Sequence, residues 1–154
     1  FKTPQKNNIT NIKDRLAMLR MGVTSNPNFE ISDLEIQRGS TSYAIDTIRE
    51  YKSDQDCDSR ELFYLIGSDS LQTFHTWKEP REILDECQVI VALRPGFLPS
   101  DISNWILRKV RFASIPRFEI GSSTIRSRWR ENKTIRYMVT QPVWEYINDH
   151  GIYQ

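Results

Sequence analysis

Two short apolar runs, residues 62–66 in ELFYLIGSD and residues 89–93 in CQVIVALRPG, limit what this chain can fold into. Each ends abruptly at turn residues, as a strand covered on both faces does, and each is too short for a buried helix. A third, more mixed stretch, KVRFASIP, adds a strand over residues 110–115. Helical patterns lie between the runs, PREILDE before the second among them, and strands separated by such segments specify βαβ units and a parallel sheet. The expected fold class is α/β, in a single domain over residues 1–154.

The flanks read mainly as helix. In NITNIKDRLAMLRMG, Ile12, Leu16 and Leu19 form one stripe, which predicts a helix over residues 10–22 with Gly22 as its C-cap. SNPN breaks the pattern, and FEISDLEI alternates at Phe29, Ile31 and Asp33 with Leu34 and Ile36 out of phase, which predicts a strand carrying a bulge or bend near Asp33. STSYAIDTIREYK predicts a helix to about Lys52, with a Ser or Thr as its N-cap. SSTIRSRWR and QPVWEYINDHGIY are helical, the latter with Pro142 in its first turn and Gly151 at its end.

Composition narrows function by exclusion. A net charge of +1, from 21 basic and 20 acidic residues, is not the footprint of a dedicated nucleic-acid or membrane-surface binder. Cys57 and Cys87 stand alone, and with His75 and His150 they make no zinc-ligand spacing, so no metal-ligating set is expected. They read as free thiols of a reducing compartment. No apolar run approaches the ~20 residues that cross a bilayer, and no signal peptide is recognisable, so the expected location is cytoplasmic.

Ligands of an open parallel sheet bind outside the carboxyl ends of its strands. Gly67-Ser68-Asp69 follows the first apolar run: the glycine allows close backbone approach and Asp69 can accept from ribose hydroxyls, although the same tripeptide also makes an ordinary turn and cap. Gly121-Ser122-Ser123-Thr124-Ile125-Arg126 combines backbone N–H groups, hydroxyls and a guanidinium at a helix start, which suits phosphate; it also reads as a capped, solvated helix. Nine basic residues against two acidic ones between positions 108 and 136 suit a polyphosphate or an RNA backbone. LQTFHTW puts aromatic faces just after Asp69, and Trp77 serves there either to stack on a base or simply to pack. His75 has no acid and nucleophile beside it in sequence, which leaves triad chemistry without support.

The ordered series TPQK, DRLAMLRMG, FEISDLEIQRGSTSYAIDTI, FYLIGSDSLQTFHTWKEPREIL, VIVALRPG, IGSSTIRSRW and VWEYINDHGIY resembles bacterial nicotinate-nucleotide adenylyltransferases of the nucleotidyltransferase α/β phosphodiesterase superfamily, over essentially all 154 residues. The resemblance implies a Rossmann-like doubly wound parallel sheet with helices on both faces. It implies transfer of AMP from ATP to nicotinic acid mononucleotide, giving deamido-NAD and pyrophosphate with Mg2+. By position it gives Ser122, Ser123, Thr124 and Arg126 the ATP phosphates, Gly67 and Asp69 a ribose, and Trp77 the nicotinate ring. It puts Lys6 near the phosphates and Tyr43 beside the pyridine. The threonine that usually follows that tyrosine is Ala44 here, leaving a backbone N–H for the pyridine carboxylate, and Lys78 stands where an aromatic is often found.

The family's opening GGxFxPxHxGH element does not occur in the sequence, which begins at Phe1. The expectation is about forty further residues upstream, carrying the first strands; in a 3-2-1-4-5-6 order these would fill a gap of roughly 14 Å between the FEISDLEI and FYLIG strands. Without them, charge neutralisation falls to Arg126, Lys6 and magnesium. The alternatives are an adenylyltransferase for nicotinamide mononucleotide or another acceptor, and a non-catalytic nucleotide- or RNA-binding remnant.

Overall fold

The computed structural model describes residues 10–94, 96–116 and 120–153. Among these residues the helices are α1 (Ile12–Val23), α2 (Leu34–Arg38), α3 (Ala44–Gln55), α4 (Ser68–Gln72), α5 (Pro80–Glu86), α6 (Asn104–Leu107), α7 (Ser122–Arg130) and α8 (Gln141–Asp149). The strands are β1 (Phe63–Gly67), β2 (Gln88–Ala92) and β3 (Arg111–Ala113). They form a parallel sheet in the order β1-β2-β3, with Ile66 opposite Val91 and Ala92 opposite Ala113. This is the α/β class expected from the apolar runs. The described residues gather into two compact units, one from 34 to 116 and the other from 10 to 33 with 120 to 153.

In the first unit, strand alternation sends Ile66, Val89 and Val91 into a core that α3 and α5 complete with Ile45, Ile48, Ile83 and Leu84. Leu71 and Phe74, just past β1, are fully buried there, each contributing about 1.5–3 kcal/mol of transfer free energy. The opposite sheet face carries Phe63 and Leu65, 52% and 67% exposed. Pro80 starts α5, where a missing N–H costs nothing. Ion pairs fasten α3 to its neighbours: Arg38 of α2 with Glu50, Lys52 with Glu86 at 2.5 Å, and Arg49 with Glu79 at 3.0 Å. The Lys52 hydrogen bond holds the Glu86 carboxyl below its usual range.

In the second unit, Ile135, Ile147 and Ile152 are the buried centre, with Trp129, Val143 and Met18 packed around them. The Tyr146 hydroxyl donates to Asp14 Oδ1 at 3.0 Å, tying α8 to α1. Among the described residues no helix is long and apolar enough to cross a membrane.

Three local expectations need correction. FEISDLEI is not a strand: residues 29–33 have no regular structure and Leu34 begins a helix. A period-2 pattern becomes a strand only where a neighbour supplies the ladder, and the described sheet contains only β1, β2 and β3; Phe29 is 62% exposed. Gly22 lies inside α1, which ends at Thr24, whose hydroxyl donates to the Arg20 carbonyl at 2.6 Å. The N-cap of α3 is Tyr43, with no side-chain cap, because the Ser42 hydroxyl turns instead to the Glu35 carbonyl.

Candidate active site

In the first unit the chain passes from β1 to α4 without a loop, Gly67 being both the last strand residue and the N-cap. Ser68 is buried, and its Oγ accepts from the Arg94 N–H at 3.1 Å, locking the end of β1 to the segment after β2. Asp69 is then left at the carboxyl end of the sheet, its Oδ2 3.5 Å from Arg94 Nη1, with both side chains more than half exposed. A Cβ on Gly67 would meet the end of the Asp69 carboxylate, which would have to turn aside, and would touch Arg94 Nε at an ordinary 3.7 Å. The ion pair is exposed enough to be worth little to stability, and its two charges remain open to solvent.

Trp77 follows a 3₁₀ turn at Phe74–Thr76 and is half-buried, edge-on to Tyr64 with centroids 6.4 Å apart and tilted on Phe74 at 5.1 Å. Burial, and then the Glu35 carboxylate, push the Tyr64 phenol above its usual pKa, so this aromatic group stays neutral at working pH. Lys78 reaches α3, placing Nζ 2.8 and 3.0 Å from the two Asp46 oxygens and 4.9 Å from the Tyr43 ring centroid. Tyr43 and Ala44 thus lie at the start of α3, where Tyr43 O accepts from the Asp46 and Thr47 N–H groups. The Ala44 N–H belongs to the first turn and has no intrahelical acceptor.

In the second unit, Gly121 caps α7 in extended conformation with no side-chain cap. Ser122, Ser123 and Thr124 are exposed. The Ser123 and Thr124 hydroxyls would lie 3.7 and 3.9 Å from a Cβ at Gly121, so both turn back toward the backbone that opens the helix. Arg126, one turn on from Ser122, has its guanidinium 6.0 Å from the Tyr153 ring. The structure therefore joins Gly67 with Asp69, Tyr43 with Ala44 and Lys78, and Ser122, Ser123, Thr124 and Arg126 on one helix end. Lys6 lies outside the described residues, as do Arg117 and Glu119 of the basic segment. A cavity of about 370 Å³ lined by Trp129, Asn132, Lys133, Thr134, Trp144 and Asn148 contains none of the expected site residues.

Sequence reasoning passed over two residues. Arg94 was legible as the basic residue of LRPG at the end of the second apolar run, on the same edge of the sheet as Asp69. Asp46 sits in the first turn of α3, where an acidic residue is ordinary, and nothing in the sequence connects it to Lys78 32 residues away.

The cytidylyltransferase-like family model matches residues 2–128. A probable nicotinate-nucleotide adenylyltransferase of Salinibacter ruber is 36% identical over 143 residues, covering 93% of this chain and 72% of the relative. One from Thermomicrobium roseum is 38% identical over 156 residues, covering 95% and 70%. Among solved structures, the Plasmodium falciparum nicotinic acid mononucleotide adenylyltransferase complexed with APC superposes with a TM-score of 0.71 at 20% identity, over 94% of this chain and 77% of that one. The same enzyme complexed with NaAD gives 0.68 at 17%, over 97% and 77%. At that identity the structural likeness speaks for the fold, and the sequence relatives speak for the family. The chain belongs to the cytidylyltransferase-like family, among the nicotinate-nucleotide adenylyltransferases.

Proposed function

We propose that this protein transfers AMP from ATP to nicotinic acid mononucleotide, forming deamido-NAD and pyrophosphate, and does so in the cytoplasm as one nucleotidyltransferase domain. The observation that carries the reading is the loop-free turn from β1 into α4, which holds an exposed Asp69 beside Gly67 at the carboxyl end of a parallel sheet.

The reaction needs no protein nucleophile. An oxygen of the mononucleotide phosphate attacks the α-phosphorus of ATP, the bond from that phosphorus to the bridging oxygen breaks, and pyrophosphate leaves with the electron pair. The protein supplies alignment and charge. In this reading Asp69 accepts from ribose hydroxyls, with Gly67 beneath it. Trp77 gives the pyridine an aromatic face, and the Ala44 N–H at the start of α3 is the donor for its carboxylate. Ser122, Ser123 and Thr124 donate to ATP phosphates, and Arg126 neutralises charge growing on the leaving pyrophosphate, with Lys6 as the second cation.

Magnesium enters as part of MgATP, held by phosphate oxygens and water.

The test is pyrophosphate release by the full-length protein with MgATP and nicotinic acid mononucleotide, with deamido-NAD identified by mass. Turnover is expected. Absence of pyrophosphate with both the acid and the amide mononucleotide, together with salt-sensitive RNA binding, would replace this reading with that of a binding module.

A further inference from the structure

Lys78 is an unusual neighbour for a pyridine subsite. It follows Trp77, whose ring is fixed between Tyr64 and Phe74, so the backbone at residue 78 is set by packing. From there its ammonium bridges to α3, bonding both oxygens of Asp46 and lying over the face of Tyr43. The next residue, Glu79, pairs with Arg49 on the same helix at 3.0 Å. Two ion pairs of opposite polarity therefore join the Trp77 turn to α3.

The two pairs stand in different places. Arg49 lies farther along α3, next to Glu86 as well as Glu79. Asp46 lies in the first turn, two residues from Ala44, with side chains of Asp46 and Lys78 32% and 39% exposed. An unpaired Asp46 carboxylate there would repel an incoming carboxylate and leave a neutral amide untouched. Lys78 removes that discrimination against the acid, and its contact with the Tyr43 ring is itself favourable to a cation.

We propose that Lys78 is a positioning residue that sets acid-versus-amide selectivity: by neutralising Asp46 and covering the Tyr43 ring, it admits a pyridine mononucleotide bearing a carboxylate. This rests on the acceptor reading given under Proposed function. Lys78 acts through Asp46 and Tyr43 and has no part at the reacting phosphorus. As a plain surface staple it would contribute little, since exposed ion pairs hardly stabilise a fold.

The experiment measures kcat/KM for nicotinic acid mononucleotide and for nicotinamide mononucleotide in the full-length protein and in Lys78→Met, Lys78→Arg, Asp46→Asn and the Lys78→Met/Asp46→Asn double variant. In Lys78→Met the acid-to-amide ratio is expected to fall about tenfold, through KM for the acid, because one like charge is uncovered at partial exposure. Lys78→Arg keeps the wild-type ratio. The double variant regains most of it, because the repelling carboxylate is gone with its partner. A ratio unchanged in Lys78→Met, or a double variant no better than the single one, overturns the inference while leaving an acid-using wild type and the acceptor reading intact. A wild type that turns over neither mononucleotide overturns the acceptor reading and this inference with it.

Discussion

The residues at the ends of β1 and α3 and those at the start of α7 are built in opposite ways. On the sheet side every expected residue is held or shaped by a neighbour. Asp69 faces Arg94, Trp77 is wedged against Tyr64 and Phe74, and Tyr43 lies under Lys78. On α7, Ser122, Ser123 and Thr124 are exposed, the helix has no side-chain cap, and the Arg126 guanidinium lies over the Tyr153 ring, 6.0 Å from its centroid. A ribose and a pyridine are neutral or singly charged and are recognised by shape, which packing must prepare. A polyphosphate is recognised by charge and many donors, which in the proposed reading the uncapped N–H groups and exposed hydroxyls of α7 would supply.

That difference makes substitutions separate by readout. The largest effect is expected at the open end. If Arg126 neutralises the leaving pyrophosphate as proposed, kcat/KM for ATP is expected to fall about 10²–10³-fold in Arg126→Ala, the loss typical of a deleted transition-state donor. Its thermal midpoint should stay within about 1 °C of wild type, because a cation 6.0 Å from one ring contributes little to folding. A large fall in thermal midpoint would show that α7 is held by this side chain and erase the contrast.

The built end should respond in the other currency. Trp77→Ala takes a half-buried indole off Phe74 and Tyr64, and a loss of about 2–3 kcal/mol of unfolding free energy is expected in urea titrations. The KM for the pyridine mononucleotide rises with it. Unchanged stability would mean that Trp77 stands free of the core of its own unit.

The same division explains what could be read from the chain. Continuous apolar runs placed β1 and β2 within one residue, because a short apolar run that stops at turn residues is too short for a buried helix; only one face of β1 is covered among the described residues, Phe63 and Leu65 lying exposed on the other. FEISDLEI alternates only to Asp33, with Leu34 and Ile36 out of phase, and it is not a strand: pattern fixes faces and only a partner fixes a ladder. At the site, Gly67, Asp69 and the Ser122 cluster were legible from residue type at a strand or helix end. The partners were not. Arg94 meets Asp69 from 25 residues away and Lys78 meets Asp46 from 32, distances that only the parallel register of β1 and β2 and the packing of α3 and α5 bring together.

The smallest expected effect probes how tightly the built unit closes. Cys87 joins α5 to β2, is 4% exposed, and has its Sγ 3.2 Å from the Ile83 carbonyl, to which the thiol donates. Burial pushes its pKa up to about 11, the Lys52 ammonium opposing it only in part. Since an unfolded thiol titrates near 8.5, the native state holds the proton longer. This contribution is fully present below about pH 8.5 and is lost as pH rises toward 11. Between pH 8 and pH 9.5 the wild type should lose about 1 kcal/mol relative to Cys87→Ala, which has no thiol to titrate. In the native protein at pH 8, iodoacetamide should label half-exposed Cys57 and reach Cys87 only on unfolding. Equal labelling of both, with no difference in pH dependence between wild type and variant, would mean that the core around Cys87 and Trp77 opens readily, and that the first unit is no more preformed there than the start of α7 is in its own.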